Sequence, residues 1–465
     1  MDLIVMKFGG TLMGSTEAIK HSASLVAVSV KNGSRVVVVP SAMSGVTDQL
    51  LKIASSAEQG SIDFAIEEID LIKKRHFETA VALQTREDGL HKLDTMFNSL
   101  SQTINGIYLL RELSKRSKDL IVSFGERLSA PLMSAALEQQ GIPAHDLTGG
   151  QAGMLTNNNF GNARPLPEAY TRIPKRLEGL FQQNVTPVVT GFIGETDKGA
   201  ITTLGRGGSD YTATILGAAL NATEVWTWKD VDGVMTTDPR IVPEAQNLEQ
   251  LSYAEIMEMA YFGAKVLHPL AVVPLQEKGI PLRVKSAADP SFAGTLVSSE
   301  SRSLKNGVKA VTAVRNANII DIGGAGMVGA ANIVSQIFDV LAELDVNVIM
   351  ISQSSSMANI SIVVQQADGK RALEALQKQF AESDSVGTIE FWEAISVIAI
   401  VGEGMRGARG VAAKLFTAVA NEGISIDMIS QGSSELNISL AIDDEHTVNA
   451  VKAIHKAFGL DKLEV

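Results

Sequence analysis

One guanidinium, Arg206, stands in a run of glycines, Thr203-Leu-Gly-Arg-Gly-Gly-Ser-Asp210, with the hydroxyl of Ser209 and the carboxylate of Asp210 directly behind it. Gly205, Gly207 and Gly208 leave backbone N–H groups uncovered around it, and Tyr211 to Leu220 reads as a helix whose positive end faces the same point. Such a run can hold an anion, and a guanidinium suits a carboxylate or phosphate through two parallel hydrogen bonds. From Gly191 onward the stretch reads as a loop, too glycine-rich for a helix or strand. The plain alternatives are a solvated glycine turn and, for Asp210, a carboxylate that only caps the following helix.

A second cation opens the chain. Asp2-Leu-Ile-Val-Met6 reads as a buried strand that delivers Lys7 onto the Gly9-Gly10 turn, a plausible clamp for phosphoryl oxygens. It is not a Walker A loop, because Gly-x-x-x-x-Gly-Lys-Ser/Thr occurs nowhere in the sequence. Arg35 to Val39 is a β-branched run of the kind a parallel sheet buries on both faces, and it leads into the hydroxyl-rich loop Pro40-Ser-Ala-Met-Ser-Gly-Val-Thr47. Strand then loop recurs at Pro187–Thr190 and Ala222–Trp226. The alternation predicts an α/β sandwich with a mostly parallel sheet and loops gathered at the strands' carboxyl ends, where such sheets bind ligands.

Residues 49–118 carry helical apolar spacing and are expected as an inserted helical subdomain; Leu166–Leu180 and Leu251–Ala264 read as further helices. Asp-Pro, Ala-Gly and Ser-Ser-Glu-Ser punctuate the stretch before Gly307, so a linker is placed at 291–307, with a first domain over 1–290.

The chain of 465 residues has no cysteine, which excludes disulfides, a cysteine nucleophile and a zinc–thiolate site, and fits a reducing, cytoplasmic setting. Its formal charge of −12, with no basic cluster, argues against nucleic acid. The seven histidines have no ligand spacing, so no protein-held metal is expected. The opening apolar run is too short for a signal peptide, and no run is read as spanning a membrane.

After residue 307 the chain repeats itself. Gly326 matches Gly404, Met350-Ile-Ser-Gln353 matches Met428-Ile-Ser-Gln431, and Asn359-Ile-Ser361 matches Asn437-Ile-Ser439, at one constant offset (404 − 326 = 78; 437 − 359 = 78). A constant ungapped offset marks a tandem domain, placed at 308–385 and 386–465. Each copy is expected as strand (Ile319–Ile322; Val397–Val401), glycine turn, amphipathic helix, strand, serine-rich turn and strand. Gly324-Ala-Gly-Met-Val-Gly329 and Gly402-Glu-Gly-Met-Arg-Gly407 both spell the dinucleotide fingerprint, which raises an NAD-dependent dehydrogenase. The unit is too small for that fold, and no acidic residue ends the strand after either helix.

Taken together, Lys7-Phe-Gly-Gly-Thr11, Ser123-Phe-Gly-Glu126, Thr156-Asn-Asn-Asn-Phe-Gly-Asn-Ala-Arg164, Thr203–Asp210, Asp230-Val-Asp-Gly-Val-Met-Thr-Thr-Asp-Pro-Arg240 and Phe262-Gly-Ala-Lys-Val-Leu-His-Pro269 resemble the aspartate kinase signature set in order. The two repeats resemble ACT domains, ferredoxin-like α+β amino-acid sensors, which that family interleaves; the strand near 308–314 would then complete the second copy. The resemblance implies transfer of the ATP γ-phosphoryl, with Mg²⁺, to the β-carboxylate of L-aspartate. It places Lys7, Gly9 and Gly10 at the phosphoryl group and Asp210 as the group orienting Lys7. Arg206 would take a substrate carboxylate and Glu126 the ammonium, with Ser41, Thr47, Phe192 and Ser209 shaping the pocket. Lys229, Asp230, Met235, Arg240 and Lys265 fall at nucleotide positions, Met235 replacing an aromatic common in relatives.

A regulatory amino acid, threonine or lysine, would bind the first repeat near Gly324, Gly326, Met327, Ser352, Gln353 and Ser354, and the sensor domains would pair into a homodimer or higher homo-oligomer. Met357, where relatives often carry an acid, tilts the choice of effector to threonine. From the length of the sequence, a fused homoserine dehydrogenase is not expected. Two alternatives stand beside this reading. One is another amino acid kinase, such as glutamate 5-kinase, acetylglutamate kinase or a nucleotide monophosphate kinase. The other is a sensor with an inactive kinase half.

Overall fold

The computed structural model describes residues 2–263, 267–356 and 358–463. The chain forms two compact units, one of residues 1–234, 249–253 and 267–300, the other of 235–248, 254–266 and 301–465. Segments 235–248 and 254–266, which the sequence places in the first domain, therefore pack with the repeats.

The first unit is built on β1 (Leu3–Phe8), β2 (Arg35–Pro40), β3 (Ala144–Leu147), β4 (Thr186–Val189), β5 (Ile193–Glu195), β6 (Ile201–Thr203), β7 (Glu224–Lys229), β8 (Gln250–Ser252), β9 (Leu282–Ser286) and β10 (Thr295–Ser298). Eight of these form one sheet in the order β3-β4-β2-β1-β7-β9-β10-β8, parallel except between β9 and β10, while β5 and β6 make a separate hairpin. Apolar runs fill its centre, with Val5, Met6 and Val36–Val39 fully or almost fully buried.

Helices α1 (Thr16–Lys31), α2 (Val46–Gln59), α3 (Ile62–Ala82), α4 (Glu87–Leu110), α5 (Lys115–Gln139), α6 (Ala169–Gln182), α7 (Gly208–Leu220), α8 (Tyr253–Tyr261, which crosses into the other unit) and α9 (Pro269–Lys278) accompany the sheet. The expected insertion, residues 49–118, covers most of α2, all of α3 and α4 and the start of α5, and it is not a separate body: Ile53, Ile69 and Phe97 share one core with Met6, Phe8 and Val38. Helix α5 is long and apolar enough by composition to cross a bilayer, which the sequence reading did not anticipate, yet 83% of its apolar stretch is buried in the protein. Two local expectations change. Residues 295–298, assigned to the linker, are strand β10, and Leu251 lies in strand β8 rather than a helix. Both segments are too short for periodicity to outweigh the turn residues around them.

The second unit is an antiparallel sheet of β11 (Ala310–Gly323), β12 (Val348–Gln353), β13 (Asn359–Gln365), β14 (Thr388–Val401), β15 (Met428–Ser430) and β16 (Asn437–Asp443), ordered β12-β13-β11-β14-β16-β15. Helices α10 (Ala331–Glu343) and α11 (Gln366–Gln379) bury Ile337, Leu341 and Leu376 against Ile320 and Ile362. In the same way α12 (Val411–Asn421) and α13 (Thr447–Ala457) bury Leu415, Val419 and Val451 against Val311 and Ile400. Strand β11 is far longer than the four residues expected. Its first part pairs Ala310–Val314 with Val397–Val401 of the second repeat, and its last part pairs Ala317–Gly323 with β13 of the first. A bulge between them, with Asn316 at φ 55°, lets one strand serve both.

Helix α8 docks on this unit through a buried ion pair. Glu255 Oε2 lies 2.9 Å from Lys309 Nζ and accepts from Ser301 Oγ at 2.7 Å, while Oε1 accepts from the Glu403 N–H at 2.9 Å. The two charged side chains are 0% and 2% exposed, so removing one takes an ion-pair partner from the other in a dry site. Glu255→Ala should cost about 3–5 kcal/mol. Denaturant unfolding followed by circular dichroism checks it, and a loss near zero would mean water reaches Lys309.

Candidate active site

Strands β4, β2, β1 and β7 lie side by side and parallel, so their carboxyl-terminal residues open onto one edge of the sheet. The chain leaves β1 for β2 on one side and joins β7 on the other, which makes this edge the crevice typical of α/β ligand sites. Lys7, next to last in β1, and Lys229, last in β7, both reach Asp210. Lys7 Nζ is 2.8 Å from Oδ1 and Lys229 Nζ is 3.6 Å from Oδ2. Lys7 and Asp210 are buried. Burial pulls the Lys7 ammonium down to about 8, against the pull of Asp210. Burial raises Asp210, but the two lysines outweigh it and hold the carboxyl below its ordinary range.

Asp210 does not cap its helix. The N-cap is Gly207 at φ 70°, and α7 begins at Gly208, so Ser209 and Asp210 sit in its first turn instead of preceding it. The stretch from Gly191 also contains more structure than a glycine loop, because Ile193–Glu195 and Ile201–Thr203 pair as a hairpin that leads into Arg206. Arg206 is exposed at the tip. Phe192 occupies φ 68°, uncommon for a bulky residue, and is held by a hydrogen bond from its N–H to Thr212 Oγ1 and another from the Leu204 N–H to its carbonyl.

Glu126 lies in the middle of α5. Its Oε1 accepts from the Ala42 N–H at 3.2 Å, and its buried Oε2 has no hydrogen-bond partner among the described residues. Burial pushes the carboxyl up to about 8, opposed by the Ala42 hydrogen bond and by Lys7. Gly125 makes this approach possible, since a Cβ there would meet the Ala42 Cβ at 2.8 Å and lie 3.6 Å from Thr47 Oγ1. Ser129 Oγ donates to the Ser41 carbonyl at 2.7 Å, so the loop after β2 is stitched to the same helix.

The structure thus collects Lys7, Ser41, Thr47, Glu126, Phe192, Ser209, Asp210 and Lys229 on elements of one unit, with Gly9 and Gly10 following β1, Arg206 on the adjoining turn and Asp230 exposed beyond β7. Two other nucleotide-side residues are assigned to the second unit. Met235 and Arg240 belong to the second unit, where Met235 bridges to Asn247 and the Arg240 guanidinium is held by Asp238 at 2.6 Å. Lys265 lies outside the described residues, as does Met357 on the regulatory side. Of the regulatory positions, Gly324 donates its N–H to the Ala358 carbonyl, Met327 is buried, Gly326 packs on Ser385, Ser352 and Gln353 are in β12, and Ser354 accepts from the Asn359 N–H. The residues from Ala325 to Met327 form a single 3-10 turn between strand and helix.

Sequence reasoning passed over Asp119. It stands seven residues before Glu126 on α5, is 2% exposed, and accepts three hydrogen bonds from the loops around Gly161 and Thr203. The seven-residue spacing that puts Asp119 and Glu126 on one face of α5 was the available signal.

Comparison with known proteins gives this geometry a family. Residues 2–286 match the amino acid kinase family, and residues 320–380 and 398–458 each match the ACT domain. Aspartokinase 2, chloroplastic, of Arabidopsis thaliana is 35% identical over 461 residues, covering 98% of this chain and 84% of its own length. The chain belongs to the aspartokinases of the amino acid kinase family. The structure of E. coli aspartokinase III in complex with aspartate and ADP (R-state) superposes with a TM-score of 0.83 at 28% identity, covering 98% of this chain and 99% of that one. The complex of the same E. coli protein with lysine and aspartate (T-state) gives 0.80 at 28% identity, with 98% and 100% covered. Both glycine-turn fingerprints of this aspartokinase therefore lie in ACT repeats and not in a dinucleotide-binding fold.

Proposed function

We propose that the crevice at the carboxyl ends of β1, β2, β4 and β7 holds aspartate and ATP together for the aspartate kinase reaction, and that its own side chains divide the work as follows. The observation that carries this reading is the Lys7–Asp210–Lys229 cluster, two ammonium groups converging on one buried carboxylate. The acceptor carboxylate is ionised at neutral pH and needs no general base, so catalysis rests on positioning two anions and neutralising the transferred charge. Lys7, kept in place by Asp210, faces the phosphoryl oxygens, with the turn at Gly9 and Gly10 beside it. Lys229 and Asp230 serve the nucleotide side. Arg206 takes a carboxylate of aspartate. Glu126, with one oxygen unpartnered, takes the ammonium and ionises as it does so.

Mg²⁺ would arrive with ATP, held mainly by phosphate and water oxygens, and would neutralise phosphate charge. The E. coli complexes with ADP and with lysine support nucleotide use and an amino-acid effector here. Threonine or lysine is assigned to the ACT repeats, pairing of those repeats to a homo-oligomer, and the enzyme to the cytoplasm and to the pathway leading to lysine, threonine and methionine.

A coupled ADP-release assay tests the assignment. ADP should appear with aspartate, much less with glutamate and not without acceptor, and threonine or lysine should suppress it. Equal rates with glutamate, or turnover independent of acceptor, would overturn it.

A further inference from the structure

Helix α5 carries two buried carboxylates on one face, and only Glu126 has an oxygen left for a ligand. Asp119 has none to spare. Its Oδ2 accepts from the Gly161 N–H at 2.9 Å and the Thr203 N–H at 2.8 Å, and its Oδ1 accepts from Thr203 Oγ1 at 2.8 Å. A carboxylate is the side chain suited to this place, because it accepts three bonds and offers no proton of its own. The two segments it joins are themselves linked, through the Ala163 N–H donating to the Thr203 carbonyl at 2.9 Å. Gly205 then passes so close to the first segment that a Cβ on it would lie 3.0 Å from Asn162 Oδ1. Arg206 follows at once. Its own side chain is exposed and makes no hydrogen bond among the described residues, so the place of the guanidinium depends on the backbone below it.

We infer that Asp119 is a positioning residue for substrate length: it ties the turn bearing Arg206 to the helix bearing Glu126, and so sets the separation at which a carboxylate and an ammonium of one amino acid are recognised. This rests on the assignment of Arg206 and Glu126 to aspartate. The helix supplies a rigid ruler, about 10 Å of axis for seven residues. One end holds Glu126, which the Ala42 N–H fixes; the other holds the Thr203 strand end from which Arg206 is carried. With Asp119 gone, the buried N–H and hydroxyl of Thr203 and the N–H of Gly161 lose their acceptor, and the turn can drift relative to Glu126. A drift of an ångström or so spoils the fit to aspartate while admitting an acid one methylene longer.

The test compares Asp119→Ala, Asp119→Asn and Arg206→Lys in the full-length enzyme, with aspartate and glutamate as acceptors. Asp119→Ala should raise KM for aspartate about tenfold or more and lower the aspartate-to-glutamate ratio of kcat/KM by a similar factor, with KM for ATP little changed. Asp119→Asn keeps an oxygen for the two N–H groups and can donate to Thr203 Oγ1, so it should recover most of the selectivity. A uniform loss of kcat with selectivity unchanged would reduce Asp119 to a structural role and overturn the inference, as would parent-like constants in Asp119→Ala. If Asp119→Ala does not fold, Asp119→Asn decides through the same ratio: full loss of selectivity there, without rescue, also counts against it. Arg206→Lys separates the two levels. Should it leave KM for aspartate unmoved, the site assignment itself fails; should it raise that KM while Asp119→Ala does not, only the ruler fails.

Discussion

Lys7→Ala should lower kcat by about two to three orders of magnitude, the usual effect of removing one charge-stabilising donor from a water-excluded site. KM for ATP should move little, because Lys229 and the backbone of the following turn stay in place. The change also frees Asp210, which Lys7 meets at 2.8 Å, to turn wholly to Lys229 on its other oxygen. Restoring the charge as Lys7→Arg should not recover the rate, since a planar fork cannot occupy the space of a compact ammonium that is only 6% exposed. Steady-state kinetics at saturating aspartate and ATP provide the measurement. A kcat close to that of the parent would remove Lys7 from the chemistry.

A second large effect concerns pH. In the free enzyme burial raises Glu126 to about 8 and lowers Lys7 to about 8. Binding an ammonium needs Glu126 ionised, and binding phosphoryl oxygens needs Lys7 protonated. The profile of kcat/KM for aspartate should therefore be a narrow bell centred near pH 8, falling tenfold per unit on either side. The profile of kcat should be flatter, because bound ammonium favours the Glu126 anion and bound phosphate favours the Lys7 cation. Glu126→Gln should abolish the acid limb and raise KM for aspartate strongly.

The same carboxyl leaves a mark on stability. Its folded value lies above its unfolded one, so its contribution is fully present below about pH 4.5 and is lost as pH rises toward 8. Glu126→Gln should accordingly melt increasingly above the parent between pH 5 and 8. A kcat/KM profile that is level from pH 6 to 9 would contradict this reading of both groups.

Much of the fold and part of the site can be read from local chemistry. The β-branched run at residues 35–39 can hardly be anything but an interior strand, and Lys7 ends an apolar run whose only use is to be buried, so a cation at that sheet edge follows from the sequence. The constant offset between Gly326 and Gly404 declares a repeated unit, and the small size of that unit and the missing acidic residue after its second strand argue against dinucleotide binding. Local pattern fails where partners are distant or segments short. It reads the hairpin at residues 193–203 as loop, β10 as linker and β11 as two separate strands. It places 235–248 and 254–266 with the kinase, although packing assigns them to the other unit.

The chemistry of the site is likewise a tertiary product. Glu126 owes its raised carboxyl to burial, against the pull of a hydrogen bond from a loop 84 residues away, and Asp119 takes two of its donors from the β6 end at the same separation. What the amino-acid order settled alone is which groups exist and which strands and helices bear them. Which proton each group holds, and which group stands opposite which, depended on desolvation and hydrogen bonding between segments that meet only in the folded chain.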